Sequence, residues 1–150
     1  MVLWDVNLLL YAAIPTSPHH ARCRSLLLAL LGGEEHFAIS EFVLASFVRI
    51  CTNPKAFDPP ALPREALAFC QSLLSHPLAV KVAPGPRHWR IFEDLVLAAG
   101  VRGSDIADAH LAALAIEHGC SWWSSDRDFA RFGGLRWHDP LLDAVSVHEP

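Results

Sequence analysis

Short apolar runs alternate with longer amphipathic stretches along the whole chain. The short runs are typical of strands buried in a sheet, whereas the longer stretches carry apolar residues at the spacing of a helix face. The predicted strands are residues 2–4, 36–39, 79–82, 120–124 and 135–137. The predicted helices are residues 6–13, 19–31, 41–51, 64–74, 88–99 and 105–118. This alternation predicts an α/β fold, a three-layer α/β/α sandwich around a mostly parallel sheet.

The composition fits one domain with a sizeable core. The chain has 150 residues, of which 52% are hydrophobic, so we do not expect disorder. The chain contains no repeat or linker, and we expect a single domain over residues 1–150. No apolar run approaches the roughly 20 residues of a membrane-spanning helix, and the first residues lack the basic stretch of a signal peptide. We therefore expect a cytoplasmic protein that does not bind membranes.

Four cysteines are spread over the chain without a C-x-x-C pair, at Cys23, Cys51, Cys70 and Cys120. This spacing argues against a zinc ribbon and against a disulfide scaffold. We expect free thiols that pack in the core.

The formal net charge of −4 argues against a protein that merely coats nucleic acid, because such proteins are usually basic. It does not argue against a nuclease. In a nuclease, acidic residues can surround a divalent cation, which reverses the local charge and can itself meet a phosphate.

Acidic residues follow the predicted strands at the edge where parallel sheets carry their active crevice. Asp5 ends the first strand, Glu41 follows the second, and Asp126 follows the strand over residues 120–124. Asp108 lies in the first turns of a helix that should begin at the same edge, and Asp128 lies two residues after Asp126. We expect these carboxylates to converge on one pocket.

Each acid also has a purely structural interpretation. Asp5 could cap the following helix, Asp126 could form a turn, and Asp128 could cap the next turn. Asp108 and Glu41 could simply be favourable partners of a helix N-terminus. Asp105 is interpreted as the cap of the helix over residues 105–118 rather than as a ligand.

Several carboxylates in one cleft repel one another unless protons or cations compensate. Hard oxygen ligands suit Mg²⁺ or Mn²⁺, and a cation held in this way can activate water for the displacement at a phosphate. His110 and His118 lie on the same predicted helix as Asp108, and either could act as a general base. Trp122 and Trp123 could stack on bases, although packing is the favoured interpretation for all four.

Four segments together resemble the PIN-domain family, and within it the VapC-type toxins of VapBC toxin–antitoxin systems. The segments are LWDVNLLLY (3–11), FVRICTNP (47–54), DAHLAALA (108–115) and SSDRDF (124–129). The resemblance implies a Mg²⁺- or Mn²⁺-dependent endoribonuclease with structured RNA, such as tRNA or rRNA, as its substrate. It also implies a cognate VapB-type antitoxin as a partner and a homodimer.

By this resemblance, Asp5, Asp108 and Asp126 match the metal-site acids of the family, and Asp128 stands where a further acid often occurs. The chain departs from the family at the second acid, since the matching position is Ser46 and the candidate Glu41 lies five residues earlier. Ser124 stands where the family often has threonine.

Two other functions compete with the nuclease. One is a catalytically weak PIN scaffold that binds RNA or a protein without cutting, which the displaced Glu41 favours. The other is a metal-dependent phosphatase or a phosphate-receiver domain. A receiver needs a lysine that supports its aspartate, and the only lysines are Lys55 and Lys81. We therefore disfavour this second class.

Overall fold

Five short parallel strands form one sheet at the centre of the computed structural model, which describes residues 1–145. The strands are β1 (Val2–Trp4), β2 (Phe37–Ile39), β3 (Ala79–Lys81), β4 (Ser121–Trp123) and β5 (Arg136–His138). Their order across the sheet is β3-β2-β1-β4-β5, so the first strand lies in the middle. All pairs are parallel, which sharpens the prediction of a mostly parallel sheet.

In the part of the chain that the structure describes, six α-helices and three 3-10 helices connect and flank these strands. The α-helices are α1 (Val6–Ala13), α2 (His20–Leu31), α3 (Glu41–Cys51), α4 (Pro63–Leu74), α5 (His88–Ala99) and α6 (Ile106–Glu117). The 3-10 helices are Gly103–Asp105, Arg127–Arg131 and Leu142–Val145. The predicted α/β fold is confirmed, and every predicted strand and helix is present within a residue or two of its predicted bounds.

The core lies around the central strands, because parallel strands covered on both faces must be apolar throughout. Strand β2 is buried along its whole length, and Trp122 of β4 has no exposed surface. Trp123 is partly buried and stacks on Trp4 of the neighbouring strand, with ring centroids 6.2 Å apart. The two tryptophans therefore pack within the protein, as the favoured interpretation had it.

The four cysteines are free and buried, as predicted. Within residues 1–145, no helix is both long enough and apolar enough to cross a bilayer.

Asp105 stands directly before α6, at the position of the predicted cap, but its side chain does not cap the helix. Asp105 already has helical backbone angles at the end of the 3-10 turn, and its side chain makes no capping hydrogen bond. Its carboxylate instead accepts from the guanidinium of Arg131 at 3.3 Å. The side chain is therefore directed towards Arg131 and away from the N–H groups of its own helix.

Candidate active site

Asp5 connects the central strand to the first helix. Its Oδ1 accepts from the backbone N–H of Val6 at 2.7 Å, so it does cap α1. Its Oδ2 accepts from the hydroxyl of Ser124, which follows β4, at 2.6 Å. Only 6% of the residue is exposed. Asp5 therefore both caps α1 and places a buried carboxylate at the carboxyl end of β1.

Ser124 joins the segments that surround this carboxylate. Besides donating to Asp5, its Oγ accepts from the side-chain amide of Asn7 at 3.1 Å and from the backbone N–H of Asp126 at 3.0 Å. The residue is fully buried, so these contacts replace all of its bonds to water. The retained hydroxyl thus orders the turn after β4 against the start of α1.

Asp126 and Asp128 lie on the turn that Ser124 anchors. Asp126 caps the 3-10 helix Arg127–Arg131, because its Oδ1 accepts from the N–H of Asp128 at 2.9 Å. Asp126 is partly buried, whereas Asp128 is exposed. The turn therefore directs one acid inward and leaves the other at the rim.

Asp108 lies in the first turn of α6 and is paired with an arginine. Its Oδ2 accepts from Nη2 of Arg131 at 3.1 Å, and the other amino group of the guanidinium reaches Asp105. The guanidinium also lies over the ring of Phe132, 5.0 Å from its centroid. Arg131 thus forms a cationic clamp on the acidic cluster.

Burial and mutual repulsion raise the pKa values of two of these carboxyl groups. The pKa of Asp5 rises to about 6, mainly because burial disfavours its charge. The hydrogen bonds from Ser124 and Val6 lower the pKa of Asp5, and the charges of Asp108 and Asp126 raise it. Burial and the charge of Asp126 likewise raise the pKa of Asp108, against the opposing effect of Arg131. Asp5, Asp108 and Asp126 therefore lie close enough for their charges to affect one another.

Glu41 does not take part in this cluster. It begins α3, its side chain is 65% exposed, and its Oε1 accepts from Nζ of Lys81 at 3.0 Å. Its charge is not among those that shift the pKa of Asp5. The carboxylate lies at the ends of β2 and β3 because Lys81 is the last residue of β3.

Comparisons with known proteins identify the family that has this fold. The PIN domain profile matches residues 2–135. The chain belongs to the PIN-domain family. It is 43% identical over 141 residues to Ribonuclease VapC43 of Mycobacterium tuberculosis, covering 94% of this chain and 96% of that one. It is 39% identical to Ribonuclease VapC31 of the same species, covering 95% of this chain and all of that one. The chain is thus a full-length homologue of VapC ribonucleases.

Solved PIN-domain structures share the architecture at low identity. VapC20 of Mycobacterium tuberculosis superposes with a TM-score of 0.64 at 17% identity, covering 91% of this chain and 98% of that one. The FitAcB structure from Neisseria gonorrhoeae superposes with the same score of 0.64 at 20% identity, covering 94% and 99%. These similarities establish the PIN fold.

The donor atoms of this PIN domain suit a hard divalent cation, although they are not gathered around one point. Within residues 1–145, no three His, Cys, Asp or Glu side chains lie close enough together to hold a metal as they stand. However, the amide Oδ1 of Asn7 is buried beside Asp5 without a hydrogen-bond partner in the described structure. Carboxylate and amide oxygens are the ligands that Mg²⁺ and Mn²⁺ prefer. The residues present therefore fit such an ion chemically.

The histidines considered as general bases have structural contacts in this PIN domain. His110 packs against His88 and Phe42, with ring centroids 4.3 and 5.5 Å away. His118 lies at the far end of α6, where its Nε2 is 2.7 Å from the carbonyl oxygen of Ala83. Packing is therefore the better description of both residues.

Sequence reasoning missed Arg131 and Asn7. Arg131 lies three residues after Asp128, and a cationic residue so close in sequence to Asp126 and Asp128 was the available signal. Asn7 stands in the first motif, two residues after Asp5, on the first turn of α1. Its contacts with Asp5 and Ser124 depend on a strand more than a hundred residues away.

Proposed function

We propose that this protein is a Mg²⁺- or Mn²⁺-dependent endoribonuclease that acts as the toxin of a VapBC-type toxin–antitoxin pair. One observation carries the proposal. A buried carboxylate, Asp5, shares the carboxyl edge of the sheet with Asp108 and Asp126 in a chain that is 43% identical to a VapC ribonuclease. This edge is where open parallel sheets bind their ligands.

We propose Asp5, Asp108 and Asp126 as the residues that hold the cation, with Asp128 at the rim. The raised pKa of Asp5 supports this assignment. Burial raises it most and the charges of Asp108 and Asp126 add to it, and a bound cation would stabilise the ionised carboxylate against both effects. When bound, Mg²⁺ or Mn²⁺ would supply an activated water and stabilise the charge on a phosphodiester.

The neighbouring residues prepare this site. Ser124 holds the Asp5 carboxylate in one orientation, because its hydroxyl is itself fixed by two donors. Arg131 keeps Asp108 near the cluster while the other charges repel it. We exclude Glu41 from the cation-binding set, since its exposed carboxylate is paired with Lys81.

We propose structured RNA, such as tRNA or rRNA, as the substrate. VapC20, which shares this fold, is described as a toxin that cleaves the sarcin–ricin loop. That loop, with a panel of tRNAs, is therefore the first set of substrates to test.

We propose a VapB-type antitoxin as the cognate partner and a homodimer as the assembled toxin. Structures of the same fold include VapBC2 of Rickettsia felis and VapBC of Salmonella typhimurium, both bound to DNA. Two large apolar side chains on α5, Trp89 and Leu97, are 64% and 82% exposed. An apolar surface of this kind suits a protein interface.

Cleavage of the RNA panel by the purified protein with Mg²⁺ or Mn²⁺ tests the proposal. We expect specific cuts that EDTA abolishes and that an Asp5→Asn variant does not make. Asp94→Asn on the exposed face of α5 is the matched control and should cut as the parent does. If the folded protein cuts no RNA but still binds RNA or its antitoxin, it is the non-cutting scaffold.

A further inference from the structure

A cavity lies at the ends of strands β2 and β3, at the same edge of the sheet as Asp5. Its volume is about 300 Å³, and its lining includes Glu41, Phe42, Lys81 and His110. We propose that this cavity binds a guanine base of the RNA substrate and that Glu41 selects guanine. The inference rests on the proposed function, because it assigns a base-binding subsite to the same enzyme.

The position of the cavity suits a nucleotide near the cleaved bond. Asp5 follows β1, Ser40 follows β2, and Lys81 ends β3, so all three lie at one edge of the sheet. Neighbouring strands are about 4.8 Å apart, which places the mouth of the cavity one or two strand spacings from Asp5. An RNA whose phosphate lies at the acidic cluster can therefore place a neighbouring base here.

Phe42 provides a surface on which a base can stack. It is 49% exposed although it is a large apolar residue, and it lines the cavity. The ring of His110 lies 5.5 Å from it at an interplanar angle of 38°, which supports it from the side. Single-stranded RNA is commonly bound by stacking unpaired bases on aromatic side chains.

The carboxylate of Glu41 provides the selectivity. It only accepts hydrogen bonds, and it can accept several at once. Nζ of Lys81 donates to Oε1 of Glu41 at 3.0 Å. This bond holds the carboxylate of Glu41 at the cavity and leaves its other lone pairs available to a base. Guanine alone presents two adjacent N–H donors on its Watson–Crick edge, N1–H and the N2 amino group. In adenine and cytosine a ring acceptor stands beside the amino group, and a carboxylate would repel it.

Binding in EDTA separates this inference from catalysis. The probes are fluorescent pentanucleotides of uridine whose central base is guanine, inosine, adenine or cytosine. We expect the guanine probe to bind roughly tenfold more tightly than the adenine probe. The inosine probe should fall between them, because inosine keeps N1–H and lacks the amino group.

Two variants assign the two contributions. Glu41→Gln should remove most of the preference for guanine, whereas Glu34→Gln, another exposed glutamate, should keep it. Phe42→Ala should weaken the binding of every probe by roughly tenfold, and Phe42→Leu should not restore it, because leucine lacks an aromatic face. Circular dichroism and thermal unfolding establish that the variants are folded.

Several results would overturn the inference. Equal affinities for all probes, or a preference for guanine that survives Glu41→Gln, would exclude guanine selection by this residue. A loss of Mn²⁺ affinity in Glu41→Gln, measured by calorimetry, would make Glu41 a metal ligand instead. If Phe42→Ala weakened antitoxin binding and left RNA binding unchanged, the cavity would belong to a protein interface. Guanine selectivity without any RNA cleavage would support the subsite and contradict the proposed nuclease.

Discussion

The hydroxyl of Ser124 donates to the carboxylate of Asp5 across 2.6 Å, although the two residues are 119 positions apart in the chain. This bond joins the ends of the neighbouring strands β1 and β4. Because a hydrogen bond to the ionised form lowers the pKa of a carboxyl group, Ser124 opposes the effect of burial on Asp5. The charge state of the site therefore depends on this pair.

Ser124→Ala tests this relationship. We expect the pKa of Asp5 to rise above its value of about 6, and the acidic limb of the pH–rate profile to move to higher pH. The free energy of unfolding should fall by roughly 1–3 kcal/mol, because Asn7 and the N–H of Asp126 lose their buried acceptor. The measurements are pH–rate profiles and chemical denaturation. Ser125→Ala, at the neighbouring position, should leave both unchanged, and an unshifted limb in Ser124→Ala would contradict the prediction.

Asp5→Asn should stabilise the fold at neutral pH while it abolishes cleavage. The pKa of Asp5 is raised from 3.8 to about 6 by folding, so between these values the folded state holds a proton that the unfolded state has lost. Stability from this group is therefore complete below pH 4 and is lost as the pH rises through 6. The loss amounts to about 3 kcal/mol at most.

Unfolding of the parent and the Asp5→Asn variant across pH 4 to 8 measures this difference. The free energy of unfolding of the variant should increase relative to that of the parent as the pH rises. A constant amount is subtracted at every pH, because the amide of the variant is a poorer acceptor for the Ser124 hydroxyl than the carboxylate. Mg²⁺ should stabilise the parent and not the variant. A difference in stability between variant and parent that stays constant from pH 4 to 8 would contradict a raised pKa for Asp5.

Arg131→Ala should raise the affinity for Mn²⁺. Arg131 and a cation compete for the carboxylate of Asp108, which the guanidinium holds at 3.1 Å. Removing that competition should increase the affinity roughly fivefold, as expected for a partly exposed ion pair of about 1 kcal/mol. Calorimetric titration with Mn²⁺ measures the effect without relying on activity. Arg127→Ala removes the same charge from an exposed position nearby and serves as the control. If Arg127→Ala raised the affinity for Mn²⁺ as much as Arg131→Ala does, the effect would not be specific to Arg131.

Glu117→Gln should destabilise the segment that leads from β3 into α5. The buried Glu117 accepts from the N–H groups of Gly85 at 2.6 Å and Arg87 at 2.9 Å. Burial would raise its pKa, but these two bonds outweigh that effect and lower it. An amide cannot accept at both atoms, so the free energy of unfolding should fall by about 1–3 kcal/mol at neutral pH.

The two hydrogen bonds accepted by Glu117 also determine how the stability of the protein changes in acid. Since the pKa of Glu117 is lowered by folding, its contribution is present at neutral pH and is lost as the pH falls through that lowered value. The difference in stability between Glu117→Gln and the parent should therefore shrink in acid. Glu93→Gln, on the exposed face of α5, should show neither effect, and a constant difference at every pH would contradict this account.

The strands and helices could be predicted because their patterns are local. Ser40 precedes α3 as its cap, and strands β1 and β4 are apolar runs that end in polar residues. Some observed helix and strand bounds differ from the predicted ones by a residue or two, as at Pro63. Proline suits the first turn of a helix, and α4 begins there rather than at Arg64.

The sequence by itself determined the α/β alternation, the family, and the acids Asp5, Asp108 and Asp126 that follow from strand ends and from a helix start. Each strand, helix and motif behind these features is defined by residues that are close together in the chain. Only the tertiary structure decided that Arg131 holds Asp108, that Ser124 holds Asp5, and that Glu41 pairs with Lys81. The physical reason is that a buried or paired carboxylate takes its partner from whichever strand or helix lies beside it. Which strand lies there depends on the order β3-β2-β1-β4-β5, which no local pattern encodes.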